Sequence, residues 1–337
     1  MQDTHISLAH GNGGRYMREL IDEVFARHLK NSELDVQADA VSLSINTDGS
    51  TNDILFTTDG FTVQPLEFPG GNIGSLAVHG TTNDLAVSGA IPKYLSLNAF
   101  IEEGMEIKTL DRIIQTLAKT AHDVGVKVVA GDTKVLRRGE GGGLYLATTG
   151  IGIRHGHLLS MNNIKHDDVI LVSGPVGDHG IAVMLAREEF GLSGDIQSDA
   201  ASVLPLTKAA LQYKGLRFMR DPTRGGIATV CSEINRATGM GIRLLQDQLP
   251  IRDAVLSVCD MLGYDPMYLA CEGRVVAIVD KHDATDLLKT WQSIDEGQES
   301  QIIGTIDSTI NQVILQTDIG GERILEELED DPLPRIC

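Results

Sequence analysis

The feature that most constrains this chain is a hydrophobic pattern that alternates between helical and strand periods, breaks once, and then starts again. Residues 15–29 place Met17, Leu20, Ile21, Val24, Phe25 and Leu29 at helical spacing. Strand-like runs at 41–45 and 54–58 flank Asp48-Gly49, a turn signal. Helical patterns at 74–88 and 109–122 then alternate with strand patterns at 94–101, 126–130 and 144–153. The polar stretch from His155 to His166 interrupts this series, and a new strand pattern opens at 169–174. The second half predicts strands at 169–173, 216–219, 241–245, 274–279, 301–306 and 312–316. It predicts helices at 180–190, 198–213, 225–238, 252–262 and 283–291. After Gly320-Gly321 the run ERILEELE reads as a short acidic helix, and two prolines in the last six residues forbid its continuation. The expectation is an α/β (α+β) chain with domains at 1–155 and 156–320 and a tail over 321–337.

Charge and cysteine usage narrow the function. A formal net charge of −19 repels a phosphate backbone and argues against a nucleic-acid partner. Any nucleotide that approached so many carboxylates would need a divalent cation to bridge them. No apolar run approaches the roughly 20 residues of a membrane span, and the N-terminus has no secretory pattern. The four cysteines are far apart and form no C-x-x-C pair, which fits a reducing cytoplasm. Cys231, Cys259 and Cys271 read as small core residues.

Several motifs carry chemistry. His10-Gly11-Asn12-Gly13-Gly14 precedes a helix, where glycine backbone N–H groups and the helix N-terminus can receive an anion; no G-K-[ST] follows, so it is not a Walker loop. Asp39, Asp59, Asp84, Asp132 and Asp221 recur at strand ends and helix-like turns. Asp84 lies inside an otherwise apolar helix, where a carboxylate is costly unless it is paired or metal-bound. Convergent carboxylates suit Mg²⁺. Asp221-Pro222-Thr223-Arg224-Gly225-Gly226 stands between a strand and a helix, where Thr223 can cap, Arg224 can grip phosphate and the glycines allow close approach. Lys134 follows Asp132 by two residues on the same strand face, and Glu272 sits just before a strand. The sequence ends in Pro332-Leu333-Pro334-Arg335-Ile336-Cys337, which places a thiol at the point of greatest reach. A thiol beside its own carboxylate is not self-activated. It reads as an acceptor for an activated group.

Together the segments AHGNGG, FTTDGFTVQPLEFPGGNIGSLAVHGTTNDLAVSGAIPKYLS, VVAGDTKV, RDPTRGG, ACEGR and PRIC resemble the HypE family of hydrogenase maturation proteins, part of the PurM-like (aminoimidazole ribonucleotide synthetase) superfamily. The resemblance covers essentially the whole chain; Asn12 departs from it, where the family often has glycine. It implies an N-terminal domain whose mixed sheet pairs across a homodimer, a C-terminal α/β domain, and ATP between them. It implies ATP-dependent dehydration of a carbamoyl group carried on Cys337 to a thiocyanate. HypF would be the carbamoyl donor and a HypC–HypD complex the cyanide acceptor. By motif it places Asp39, Asp59, Asp84 and Asp221 on Mg²⁺ and phosphates with Asp132 assisting. It places Asn83 and the two glycine loops (His10, Gly11, Gly13, Gly14; Thr223 to Gly226) at the nucleotide. Lys134 would orient the thiocarboxamide or the transferring phosphate, and Glu272 would contact the amide N–H and take a proton. A carrier without dehydratase activity, or another superfamily enzyme such as selenophosphate synthetase or thiamine-phosphate kinase, is the competing reading.

Overall fold

The computed structural model of the chain describes residues 5–11, 14–29, 31–47, 50–187, 191–192, 194–329, 333 and 336–337, with side chains of 44–52 excepted. A 3₁₀ turn (Leu8–Gly11) leads into α1 (Gly14–Leu20), a π-helical stretch (Ile21–Ala26) and α2 (Arg27–Leu29). Then come β1 (Val41–Thr47), β2 (Ser50–Phe61), the short β3 (Glu67–Phe68) and β4 (Gly71–Asn72), α3 (Ile73–Val87), β5 (Ala90–Glu102), α4 (Ile107–Val124), β6 (Lys127–Leu136) and β7 (Leu144–Arg154). The second half runs β8 (Val169–Val172), α5 (Asp178–Ala186), α6 (Leu204–Ala210), β9 (Leu216–Arg220), α7 (Gly226–Thr238), β10 (Gly241–Leu245), α8 (Asp253–Leu262), β11 (Val276–Val279), α9 (Lys281–Gln292), β12 (Gln301–Asp307), β13 (Val313–Gln316) and β14 (Glu322–Ile324). The expected strands and most expected helices are present. The turn at Asp48-Gly49 lies outside the described residues, as does the end of the 180–190 helix. Of the helix expected at 198–213, only 204–210 forms.

The first sheet is mixed, ordered β1-β2-β7-β5-β6, with β5 and β6 parallel. The second has the order β14-β13-β10-β12-β8-β11-β9. The acidic helix expected after Gly321 is instead β14, an edge strand antiparallel to β13 with Ile324 opposite Ile314. Backbone pairing to an available sheet edge overrides the helix propensity of glutamate-rich sequence there.

Helix α3 ties the two halves together. Asn72 caps it by accepting from the Gly74 and Ser75 N–H groups at 2.9 and 3.2 Å, and Ser75 closes the capping box. Gly74 lets the helix approach α4: a Cβ there would stand 2.4 Å from the Ile113 carbonyl oxygen. The helix is buried on nearly every side, against β2, β5 and β7 and also α6 and β9. A helix apolar all round belongs in a core, and this one delivers its single aspartate, Asp84, to the junction of the two sheets.

Strand β6 behaves differently. Nine of its ten residues are exposed, including Val129 at 61% and Val135 at 70%. Among the described residues it pairs only with β5.

Candidate functional site: an acidic cleft beside a half-buried thiol

Four local devices converge on one cleft of about 320 Å³. Asp39 precedes β1, Asp59 ends β2, Asp84 rides α3, and Asp221 follows β9. One carboxylate oxygen each from Asp39, Asp84 and Asp221 lies within 4.8 Å of the others. This hard-oxygen set fits a divalent cation. Without countercharge the cluster holds protons. Burial first, and then the neighbouring carboxylates, push Asp39 up to about 8 and Asp84 well above the carboxylate range; burial also lifts Asp59. Burial raises Asp221 to about 6 against the pull of Arg220. Arg220 bridges Asp39 at 2.9 Å and Glu233 at 2.8 Å, and Thr57 donates its hydroxyl to Asp84 at 2.9 Å. Arg220 was not singled out in sequence, although it immediately precedes Asp221.

Arg224 stands between this cleft and a second chamber of about 340 Å³, and lines both. Gly225 in the left-handed conformation (φ 74°) caps α7 and turns the chain so that Arg224 points across. Its Nε donates to the Cys337 Sγ at 3.3 Å, one terminal nitrogen donates to the Gly11 carbonyl at 3.1 Å, and the other lies 3.8 Å from Asp59. Arg224 therefore grips the thiol and the glycine loop. Gly11 contributes its carbonyl, His10 is buried and accepts from the Ser7 hydroxyl or backbone at about 3 Å, and Gly14 packs against the Leu328 carbonyl. Gly13 lies outside the described residues.

Cys337 lies in the second chamber. Its backbone carboxylate oxygen accepts from the Thr62 N–H at 3.0 Å and the Thr62 hydroxyl at 3.2 Å. The Ile336 carbonyl accepts from His179 Nε2 at 2.9 Å. Leu333 and Ile336 are buried in the main core cluster. Burying two such side chains contributes roughly 3–6 kcal/mol, and fixing the backbones of Leu333, Ile336 and Cys337 costs roughly 3–6 kcal/mol. The two terms are of the same order, and the polar contacts add to the first. Burial pushes the docked thiol up to about 12, with Arg224 opposing. Neither Thr62 nor His179 carried a sequence signal.

Glu272 is 2% exposed and its Oε1 has no hydrogen-bond partner. Burial, then Asp221, Asp59 and Asp199, hold its carboxyl well above the usual range, and Arg224 pulls the other way. Asn83, expected at the nucleotide, is occupied differently. Its amide donates to the Ala201 and Glu272 carbonyls at 2.9 and 3.0 Å and accepts from the Val203 N–H at 3.0 Å. It braces the loop bearing Glu272 rather than facing the cleft. Lys134 and Asp132 pair with each other at 2.7 Å on the exposed β6 and line neither chamber. The structure does not bring them to the site within one chain, because β6 is the far edge of the sheet. Cys231, Cys259 and Cys271 are buried as expected.

Comparisons with known proteins agree with this geometry. Residues 37–154 match the AIR synthase related protein N-terminal domain, and 165–314 match the C-terminal domain. Carbamoyl dehydratase HypE of Azotobacter vinelandii is 39% identical over 340 residues, covering 100% of this chain and 98% of the relative. HypE of Escherichia coli is 39% identical over 335 residues, covering 99% of both. A solved HypE–HypF complex matches with TM-score 0.86 and 40% identity over 92% of this chain and 99% of that one. HypE in complex with ATP matches with TM-score 0.81 and 36% identity over 99% of this chain and 100% of the other. A thiamine monophosphate kinase of Aquifex aeolicus, 14% identical with TM-score 0.66, shares the fold. With both halves matched and full-length relatives this similar, the chain belongs to the carbamoyl dehydratase HypE family.

Proposed function

We propose that this carbamoyl dehydratase acts on its own Cys337, converting an S-carbamoyl group to an S-cyanate at the expense of ATP and so supplying cyanide ligands for [NiFe] hydrogenase iron. The observation that carries the reading is the Cys337 sulfur held 3.3 Å from Arg224, the residue that also lines the acidic cleft. A thiol is thereby brought to the edge of a cation and phosphate site. The relative solved with ATP supports the nucleotide assignment.

Asp39, Asp84 and Asp221, with Asp59, would hold Mg²⁺; the ion would neutralise phosphate charge, and ATP would supply the phosphoryl group that makes the carboxamide oxygen able to leave. The chain's own residues do the rest. Thr62 and Arg224 fix the terminal residue. Arg224 shields the sulfur from the carboxylates opposite. Glu272, with a buried oxygen that has no hydrogen-bond partner, receives a proton from the amide nitrogen. Glu272 takes one amide proton and the departing phosphate carries away the other with the oxygen, so the C–O bond breaks as the C≡N bond forms, and the C–S bond stays intact until the cyano group is passed on. Residues 1–155 form the nucleotide and dimer half, 156–320 close the cleft, and 321–337 carry the thiol between an inward state and an outward state for exchange.

The exposed edge β6 supports a homodimer in which this strand is covered. Lys134 then acts at the site only in the assembled pair. The solved HypE–HypF complex of a relative supports HypF as carbamoyl donor, and a HypC–HypD complex takes the cyano group. No helix among the described residues is long and apolar enough to cross a membrane, in keeping with work in the cytoplasm.

The test is intact-protein mass spectrometry after incubation with the carbamoyltransferase, carbamoyl phosphate, ATP and Mg²⁺. The expected product is a cyanated Cys337, absent in Cys337→Ala. A carbamoyl adduct that persists through ATP addition overturns the dehydratase reading in favour of a carrier.

A further inference from the structure

We propose that His179 is a positioning residue that holds the tail in its inward state, through a single neutral tautomer aimed at the carbonyl before Cys337. This rests on the reading of Cys337 as the reacting thiol.

His179 is fully buried in the first turn of α5, behind Gly177 in the left-handed conformation. Its ring meets Phe68 edge-on, with centroids 5.6 Å apart. Both ring nitrogens have partners, and those partners assign the proton. Nε2 faces the Ile336 carbonyl at 2.9 Å, which can only accept. So Nε2 carries the hydrogen and Nδ1 does not. Nδ1 faces the Ser198 hydroxyl at 2.7 Å. That oxygen already accepts from the Ala200 N–H at 3.0 Å, which leaves its own hydrogen free to donate to Nδ1. One relay, Ala200 N–H to Ser198 to His179 to Ile336, therefore runs in one direction with no conflict. Burial keeps the imidazole neutral, at about 4, which preserves the relay at neutral pH.

The elements in this relay come from both halves of the chain. Phe68 belongs to β3, and the Ser198 N–H donates to the Pro69 carbonyl at 2.9 Å. Gly70 allows that contact, since a Cβ there would stand 2.9 Å from Ser198 backbone atoms. The tail thus docks on a seam between the halves. Thr62 holds the last residue from the first half and His179 holds the preceding one from the second. Two anchors on successive backbone oxygens set the direction in which the Cys337 side chain leaves the backbone, and hence its approach to Arg224 and Glu272. His179 touches no reacting atom and acts through this placement.

Two variants decide the matter. His179→Phe keeps an aromatic ring and removes the donor, and His179→Gln keeps an N–H at the end of a flat side chain. The first readout is alkylation of Cys337 by iodoacetamide in the full chain, followed by peptide mass spectrometry, which needs no enzymatic step. Loss of a buried hydrogen bond shifts docking roughly tenfold. His179→Phe is expected to alkylate about tenfold faster than the parent, and His179→Gln within about threefold of it. The second readout separates the half-reactions: carbamoylation of Cys337, which uses the outward state, is at least as fast in His179→Phe as in the parent, dehydration slows about tenfold or more, and His179→Gln recovers most of it. Equal alkylation in parent and Phe variant, or equal defects in Phe and Gln variants, overturns the proposal. If the parent itself fails to dehydrate the adduct, the dehydratase reading falls, and the alkylation comparison still decides whether His179 holds the tail.

Discussion

Glu272→Gln separates the role of this carboxyl in stability from its role in chemistry. The side chain is 2% exposed, Oε1 lacks a partner, and three carboxylates act on it. Its folded-state proton is therefore held far more tightly than the unfolded-state proton, whose ordinary value is 4.5. A raised folded value means that the native state binds the extra proton: the contribution to stability is complete below 4.5 and is lost as pH climbs toward the folded value. Over that window the slope is about 1.4 kcal/mol per pH unit. Glutamine copies the neutral acid in shape and does not titrate. With an unfolding entropy of about 2.1 cal/mol/K per residue, a chain of 337 residues turns that slope into about 2 °C per pH unit. Differential scanning fluorimetry of parent and variant across a pH series above 4.5 is expected to show Glu272→Gln gaining on the parent by about 2 °C for each unit until the folded value is passed. Dehydration of carbamoylated Cys337 is expected to fall by roughly 10²–10⁴-fold, the usual worth of a positioned general base, equivalent to about 3–5 kcal/mol of barrier. Parallel melting profiles refute the buried neutral carboxyl, and parental dehydration by the variant refutes its role as proton acceptor.

Other outcomes follow from the same geometry. Asp84→Asn removes one of three crowded carboxylates, so the cation-free protein melts higher than the parent, while Mg²⁺ no longer raises its melting temperature; calorimetric titration with Mg²⁺ checks the second point. Val129→Glu places a charge on the exposed edge of β6, and size-exclusion chromatography with light scattering is expected to show a shift from dimer to monomer together with lost dehydration. Arg224→Gln deletes the donor to the Cys337 sulfur. Because the docked thiol sits near 12 against an ordinary 9.0, the docked state contributes about a thousandth of the free thiol's reactivity at pH 8. Alkylation therefore reports the undocked fraction, and it is expected to rise about tenfold in this variant.

The sequence showed most of the architecture because period and burial agree. The buried α3 and the amphipathic α4 carry unbroken helical spacing, and every strand expected in the second sheet forms. It misread residues 322–324, where the local glutamate-rich preference is helical and the deciding factor is the free edge of β13, a distant element. The carboxylates of the cleft were legible because an aspartate within an apolar helix or at a strand end is conspicuous. Asn83, read as a nucleotide contact, is engaged by Ala201, Glu272 and Val203 instead, because one step along a helix from Asp84 turns a side chain by about 100°. His179 and Thr62 could not be seen, since their meaning comes from backbone oxygens more than 150 residues away in the chain.

The charges that raise Glu272 also bear on when it can act. A protonated carboxyl is a hydrogen-bond donor, and it cannot take a proton from an amide. Two of the groups that hold its proton, Asp221 and Asp59, face the acidic cleft. Countercharge placed there weakens their hold, while burial and Asp199 continue to act. Under the proposed role, loading of the cleft would lower the Glu272 value and favour the ionised form that takes up the amide proton in the loaded site. Mg²⁺ alone suffices as the probe. Added at millimolar concentration, it is expected to narrow the alkaline melting gap between the parent and Glu272→Gln, and to leave the gap unchanged when Asp84→Asn is present in both. A gap that persists undiminished while Mg²⁺ demonstrably binds means that burial alone holds the proton, and that loading of the cleft does not govern Glu272.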